Sequence, residues 1–126
     1  MVRVELQLRL PNSPGALAAV AQLLADERVN IIAMTLAAGG HLHLVTDNPI
    51  RAAQALRGAH HKVDERDVIF TPLPNSPGAL APILSLVSAA GINIDYAYAA
   101  GLEGTATAAL VIGVDDAQRV AATTGL

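Results

Sequence analysis

Leu10-Pro11-Asn12-Ser13-Pro14-Gly15-Ala16-Leu17-Ala18 returns letter for letter as Leu73-Pro74-Asn75-Ser76-Pro77-Gly78-Ala79-Leu80-Ala81. The offset is 63 residues, and Asn30-Ile31 returns as Asn93-Ile94 at that same offset. A repeat of this length, with its internal spacing kept, means two copies of one folded unit rather than a low-complexity accident. The copies are expected to form two domains, residues 1–66 and 67–126.

Upstream of the first turn, residues Val2 to Leu10 alternate apolar and polar, the pattern of a strand with one buried face. Within the turn, Ser13 is expected to cap a helix that has Pro14 at its first position. Downstream, Leu17, Val20, Ala21 and Leu24 fall on one helical face, repeated as Leu80, Ile83, Leu84 and Val87. These helices are expected to end near Arg28 and Gly91. Val29 to Ala38 reads as a second strand, Gly39-Gly40 as a tight hairpin turn and His41 to Thr46 as a third strand. Asn48-Pro49 opens another helix, with Ile50, Ala53 and Leu56 expected inward and Gly58 beyond its end. Val63 and its neighbours can supply a short fourth strand. The order β-α-β-β-α-β is that of ferredoxin-like folds, which makes the class α+β.

The second copy repeats this order from Val68 to Leu73, with strands expected at Ile92 to Ala99 and Thr105 to Val114 and a last helix from Asp115 to Thr124. Aligning Asp47 with Asp115 makes its hairpin, around Gly101 to Gly104, five residues longer than the first. No segment then remains for a final strand. Val68 to Leu73 is therefore expected at a sheet edge, with the nitrogen of Pro72 turned away from the paired side. Thr105 to Val114 is apolar on both sides, so one face should meet the helices and the other a further sheet or subunit. Lys62, Asp64, Glu65, Arg66 and Asp67 read as a solvated connection between copies.

Copies of about 60 residues are marginally stable alone. Hydrophobic residues make up 52% of the chain and charged residues 15%, which favours an oligomer, most simply a homodimer, that hides apolar surface. A net charge of −3 and 2% aromatics argue against nucleic-acid binding, which relies on a basic footprint and aromatic platforms. There are no cysteines, so disulfides, thiolate metal sites and cysteine nucleophiles are excluded. No signal peptide or membrane-spanning run is visible, and a soluble cytoplasmic protein is expected.

The repeated turn carries the strongest chemical signal. Free N–H groups at a helix N-terminus attract carboxylates and phosphates. Gly15 and Gly78 allow close approach of the backbone, and an asparagine amide both donates and accepts, which suits a zwitterion. The competing interpretation is a capped helix with a tight turn and no ligand. Tyr96 and Tyr98, which replace Ala33 and Thr35 of the first copy, suit interface packing better than a ligand site. His41 and His43 share a strand face, but no third ligand accompanies them, so no metal is expected. No nucleophile with a base, no paired carboxylates and no phosphate loop of the Walker type emerge. Neither an enzyme nor a cofactor is expected.

The alternating strand, the Asn-Ser-Pro-Gly-Ala-Leu turn, the amphipathic helix and the following Val29-Asn30-Ile31 or Ile92-Asn93-Ile94 resemble the ACT domain. The run from Gly91 to Ala99 and the ending Val114-Asp115-Asp116-Ala117 are similar to the second copy of short proteins built from two ACT domains. The resemblance implies βαββαβ modules that bind a free amino acid where the first turn of one copy faces another copy. Carried over, the ligand-binding residues are Asn12, Ser13, Pro14, Gly15, Ala16 and Leu17, with Asn30 and Ile31. Their counterparts are Asn75, Ser76, Pro77, Gly78, Ala79 and Leu80, with Asn93 and Ile94. It further implies a regulatory protein that signals the level of its amino acid to a partner enzyme. The alternative is a docking module that regulates a partner without binding a ligand.

Overall fold

The N-terminal alternation forms strand β1 (Val2–Arg9), with Leu6 and Leu8 buried on one face. The computed structural model describes residues 1–126. After β1 come α1 (Ala16–Asp26), β2 (Ile31–Ala37), β3 (His41–Thr46), α2 (Pro49–Gly58) and β4 (Asp64–Pro74). The remainder is α3 (Leu80–Ala89), β5 (Tyr96–Gly101), β6 (Thr107–Gly113) and α4 (Ala117–Thr124). The chain divides into two compact units, Val4–Arg66 and Asp67–Leu126 together with Met1–Arg3. Each unit packs two helices on one face of antiparallel strands, the ferredoxin-like α+β arrangement. No helix is long and apolar enough to cross a membrane.

In the Val4–Arg66 unit the strand order is β2-β3-β1, with Leu6 opposite Leu44 and Ala33 opposite Val45. Leu6, Leu8, Leu42 and Leu44 meet Val20 and Leu24 of α1 and Ala52, Ala53 and Leu56 of α2. Each large aliphatic side chain buried here contributes about 1.5–3 kcal/mol. Asn48 caps α2 by accepting from the N–H of Arg51 at 3.1 Å. Ile50, expected inward, is 71% exposed, and Gly58 is the last helical residue rather than the one beyond it. At 100° per residue Ile50 sits roughly 110° from the centre of the Ala52–Ala53–Leu56 stripe, so the stripe faces the core without it.

In the other unit the order is β4-β6-β5, with Ile69 opposite Ile112 and Tyr96 opposite Gly113. Ile69, Leu73, Leu110 and Ile112 pack on Val87 of α3 and Val120 of α4. The expected fourth strand near Val63 and the expected first strand of the second copy are one strand, β4. No glycine or proline interrupts Val63 to Val68, so nothing stops the extended chain, and Asp64, Glu65, Arg66 and Asp67 of the charge cluster read as a connection lie within a strand. Val63 itself is buried, and the carbonyl of Val63 accepts from Arg57 Nη2 at 2.9 Å.

Two expectations about the second copy are changed by its neighbours. β4 is not a free edge, because Met1–Arg3 belong to this unit and the N–H of Phe70 donates to the carbonyl of Met1 at 2.8 Å. The chain's first residues thus stand where a fourth strand of this copy would be. The N–H of Asn75 donates to Ala106 on β6's side at 3.0 Å, so the even-numbered residues of β4 turn their nitrogens the other way. The nitrogen of Pro72 accordingly points away from β6, and the Pro72–Ala109 pairing loses no bond to it.

On the side of β6 opposite the helices, Thr107 is exposed and Ala109 half-buried, but the Gly113 end is covered from within the unit. The ring of Tyr96 lies across Gly113 so closely that a Cβ there would collide with it. Phe70 and Tyr98 stand in register on either side of buried Val111, and the guanidinium of Arg3 sits 5.0 Å from the Phe70 ring centroid. An outside sheet or subunit is not what buries Gly113. The first copy solves the same packing problem in reverse, with small Ala33 opposite larger Val45.

That exchange of volumes predicts coupling. Gly113→Val alone should cost about 1–3 kcal/mol through overpacking. Combining it with Tyr96→Ala recreates the first copy's pair and should recover part of that loss. A double-mutant cycle by urea unfolding should give a coupling of about 0.5–3 kcal/mol; simple additivity would contradict the compensation.

Candidate functional site

Ser13-Pro14-Gly15-Ala16 is a type II turn. The N–H of Ala16 donates to the carbonyl of Ser13 at 3.3 Å, and Gly15 has φ 84° and ψ −3°. A proline at the second position sets its own φ, and the third position demands the positive φ that glycine adopts without strain. Ser76-Pro77-Gly78-Ala79 repeats it, with Ala79 N–H to Ser76 carbonyl at 3.2 Å and φ 80° at Gly78. Both glycines have open space where a Cβ would stand, so their dihedral angle and not crowding requires them.

This geometry corrects the expected cap. Ser13 is not the N-cap and Pro14 is not in the helix; α1 starts at Ala16 behind Gly15, with no side-chain cap. α3 starts at Leu80 behind Ala79, also without one. The serine works through its carbonyl, because the turn uses the two residues that a capped helix would have taken. The amides of Leu17 and Ala18 in the first turn of α1 therefore have no partner in the chain.

Those amides open onto a cleft of about 690 Å³ in the Val4–Arg66 unit. One wall is the turn and α1, from Pro11 to Ala18; the other is the β2–β3 hairpin from Leu36 to Gly40, with Arg9 and Leu10 at the base. The walls are tied together: Leu10 N–H donates to the Gly40 carbonyl at 2.8 Å and Arg9 Nε to the Gly39 carbonyl at 3.1 Å. The backbone of Leu10 runs so close to Gly40 that no larger residue fits there. Asn12 is exposed and its side chain makes no hydrogen bond. The volume lies in the range of small-molecule sites. The hairpin wall was missed by sequence reading; Gly39-Gly40 signalled a turn, but not that it would face Asn12.

The second copy's cleft, about 410 Å³, lies between its own turn and the β5–β6 hairpin. Here Asn75 is engaged. Its Nδ2 donates to the carbonyls of Leu102 at 2.9 Å and Thr105 at 3.0 Å, both in the longer hairpin. Its Oδ1 lies against Gly101, where a Cβ would stand 2.7 Å away.

Asn30 and Ile31 stand at the opposite end of β2 from the hairpin and outside this cleft. Asn30 N–H donates to Asp47 Oδ1 at 2.9 Å, and Ile31 packs on the core. Asn93 Nδ2 reaches Asp95 Oδ1 at 3.5 Å, and Ile94 packs on the second core. His41 and His43 line a smaller cleft of about 280 Å³ with Gln7, Arg9, Lys62 and Asp64. His43 Nδ1 lies 3.1 Å from Oε1 of the fully buried Glu5, which also accepts from Gln7 Nε2 at 2.8 Å. No group of three or more histidine or carboxylate side chains is placed to hold a metal ion.

Two ferredoxin-like units, each opening with a strand, a proline-glycine turn and an uncapped helix, define the class of an ACT tandem. Residues 1–123 match the family described as ACT domain pair, and the chain belongs to that family. Among solved structures the chain is similar to protein BT0572 from Bacteroides thetaiotaomicron, with 32% identity and a TM-score of 0.87 over 98% of this chain and 86% of that one. The regulatory subunit of aspartate kinase from Thermus thermophilus, in its ligand-free form, shares the fold at 17% identity and TM-score 0.72, over 99% of this chain and 92% of that one. The corresponding subunit from Thermus flavus does so at 18% and 0.64, over 88% and 82%. No curated protein matches the sequence.

The two asparagines should separate in a stability measurement without any ligand. Asn75→Ala removes two hydrogen bonds to the hairpin and should cost about 1–3 kcal/mol. Asn12→Ala should stay within about 0.5 kcal/mol of the unaltered chain. Equal losses in urea unfolding would refute the assignment of different roles.

Proposed function

We propose that this ACT pair senses a free amino acid and that the cleft of the first copy receives it. The observation that carries the reading is the meeting of three features in one place: unpartnered amides at the start of α1, an uncommitted Asn12 and a facing hairpin wall that carries Leu36. The amides of Leu17 and Ala18, at the positive end of the helix dipole, suit the ligand's carboxylate. Asn12 Oδ1 suits its ammonium group, and Leu10, Leu17 and Leu36 bound the space for its side chain. The site belongs to the turn residues Asn12 to Leu17, completed by Asn30 of a second molecule of this chain.

Regulation follows from linkage. An amino acid that bridges two copies stabilises the arrangement in which they face each other, and a partner enzyme that binds this arrangement reads the amino-acid level. A homodimer supplies such facing copies. The reading is supported by two proteins of similar fold that are themselves regulatory subunits of aspartate kinase. A docking module without ligand is favoured by one observation: Met34 and Leu36 on β2 are 38% and 43% exposed beside a strand with a single neighbour.

Thermal unfolding against each standard amino acid decides between them. An amino acid at about 100 times its Kd should stabilise by roughly 2.7 kcal/mol, several degrees in Tm. Asn12→Ala should abolish that shift. If no amino acid moves the midpoint, sensing is refuted and the exposed β2 edge becomes the place to look for a protein partner.

A further inference from the structure

We infer that only one of the two identical turns binds an amino acid, because the second is occupied by its own hairpin. This rests on the reading of the first cleft given above. The six turn residues are the same in both copies, the type II geometry is the same, and neither following helix has a side-chain cap. Sequence alone therefore makes the two sites equal. The difference lies across the cleft.

In the first copy Ala38 to Gly40 join paired Ala37 and His41, and no hydrogen bond ties this short connection to the Asn12 side chain. In the second copy the connection between paired Gly101 and Ala108 is longer and folds back onto the turn. Both N–H groups of the Asn75 amide are used, one on Leu102 and one on Thr105. The hairpin is itself braced: Thr105 N–H donates to the Leu102 carbonyl at 3.0 Å, the Thr105 hydroxyl donates to the same oxygen, and Asn75 N–H donates to Ala106 at 3.0 Å. The carbonyls of Leu102 and Thr105 thus hold the Asn75 amide with Oδ1, the atom that would receive a ligand's ammonium group, turned against Gly101. The cleft they leave is about 410 Å³ against 690 Å³. To free Oδ1 for an ammonium group the Asn75 amide must turn away from Gly101 and break both Nδ2 hydrogen bonds, so binding there is about 10- to 100-fold weaker than at Asn12. The inserted residues make the second copy a structural half and leave the first to read the ligand.

The test is native mass spectrometry and calorimetric titration of the full chain with each standard L-amino acid at millimolar concentration. The expected result is one molecule bound per chain. Asn12→Ala should weaken that binding at least about tenfold, while Asn75→Ala should leave its affinity within about twofold. Replacing Gly101 to Ala108 by one alanine and two glycines, the length of the first hairpin, should add a second binding event per chain. Two molecules per unaltered chain, or equal loss of affinity in the two alanine variants, would overturn the inference while leaving amino-acid sensing intact. Absence of binding by any amino acid would instead remove the sensing reading on which it rests. Should the shortened hairpin fail to fold, the stoichiometry of the unaltered chain and the two alanine variants still decide.

Discussion

The positive φ at Gly15 and at Gly78 is the constraint from which the rest of each unit follows. It closes a type II turn between the first strand and first helix, and that turn uses up the serine and proline that would otherwise have capped the helix. A capped helix would have filled its orphan amides with its own side chain. An uncapped one presents them outward, at the positive end of its dipole. The turn also sets where the helix starts, and so which of its residues, Val20 and Leu24 or Val87, reach the sheet.

The same turn has two fates because its surroundings differ. A hydrogen-bonding group at a cleft mouth finds a partner, either in its own chain, in solvent or in a ligand. Asn75 finds Leu102 and Thr105; Asn12 meets a hairpin five residues shorter, makes no hydrogen bond within the chain and is left to solvent or a ligand. Length in one loop thereby changes the chemistry of an identical motif far from it in sequence. The two copies therefore differ across the cleft although their turn residues are identical.

Packing shows a similar division. On the face away from the helices, the first copy carries polar Glu5, Gln7 and His43, with Glu5 fully buried against the other two. The corresponding positions of the second copy are Val68, Phe70 and Val111, with the Tyr96 ring laid over Gly113. A buried carboxylate is costly without hydrogen-bond partners, whereas aromatic rings bury area without that demand. The two halves keep one topology with different interiors on this face.

Much of this was written in the chain. The repeat announced two copies, period-2 and period-3.6 patterns gave the strands and helices, and the proline-glycine turns marked the ends of strands, because such signals act over a few residues. The turn residues were legible as a candidate site for the same reason. What the sequence could not decide were matters of what meets what. Ile50 lost its inward place because the helix's rotation is set by the whole stripe it presents. β4 absorbed two expected strands because no local breaker separated them, and Met1 took the flank of Phe70 from the far end of the chain. The hairpin wall opposite Asn12, and the capture of Asn75 by Leu102 and Thr105, depend on contacts between segments about 25 to 30 residues apart. Sequence determined the conformations because local backbone preferences are short-ranged; tertiary structure decided which polar groups were left over, because hydrogen bonds are satisfied by whatever lies within about 3 Å once the chain has folded.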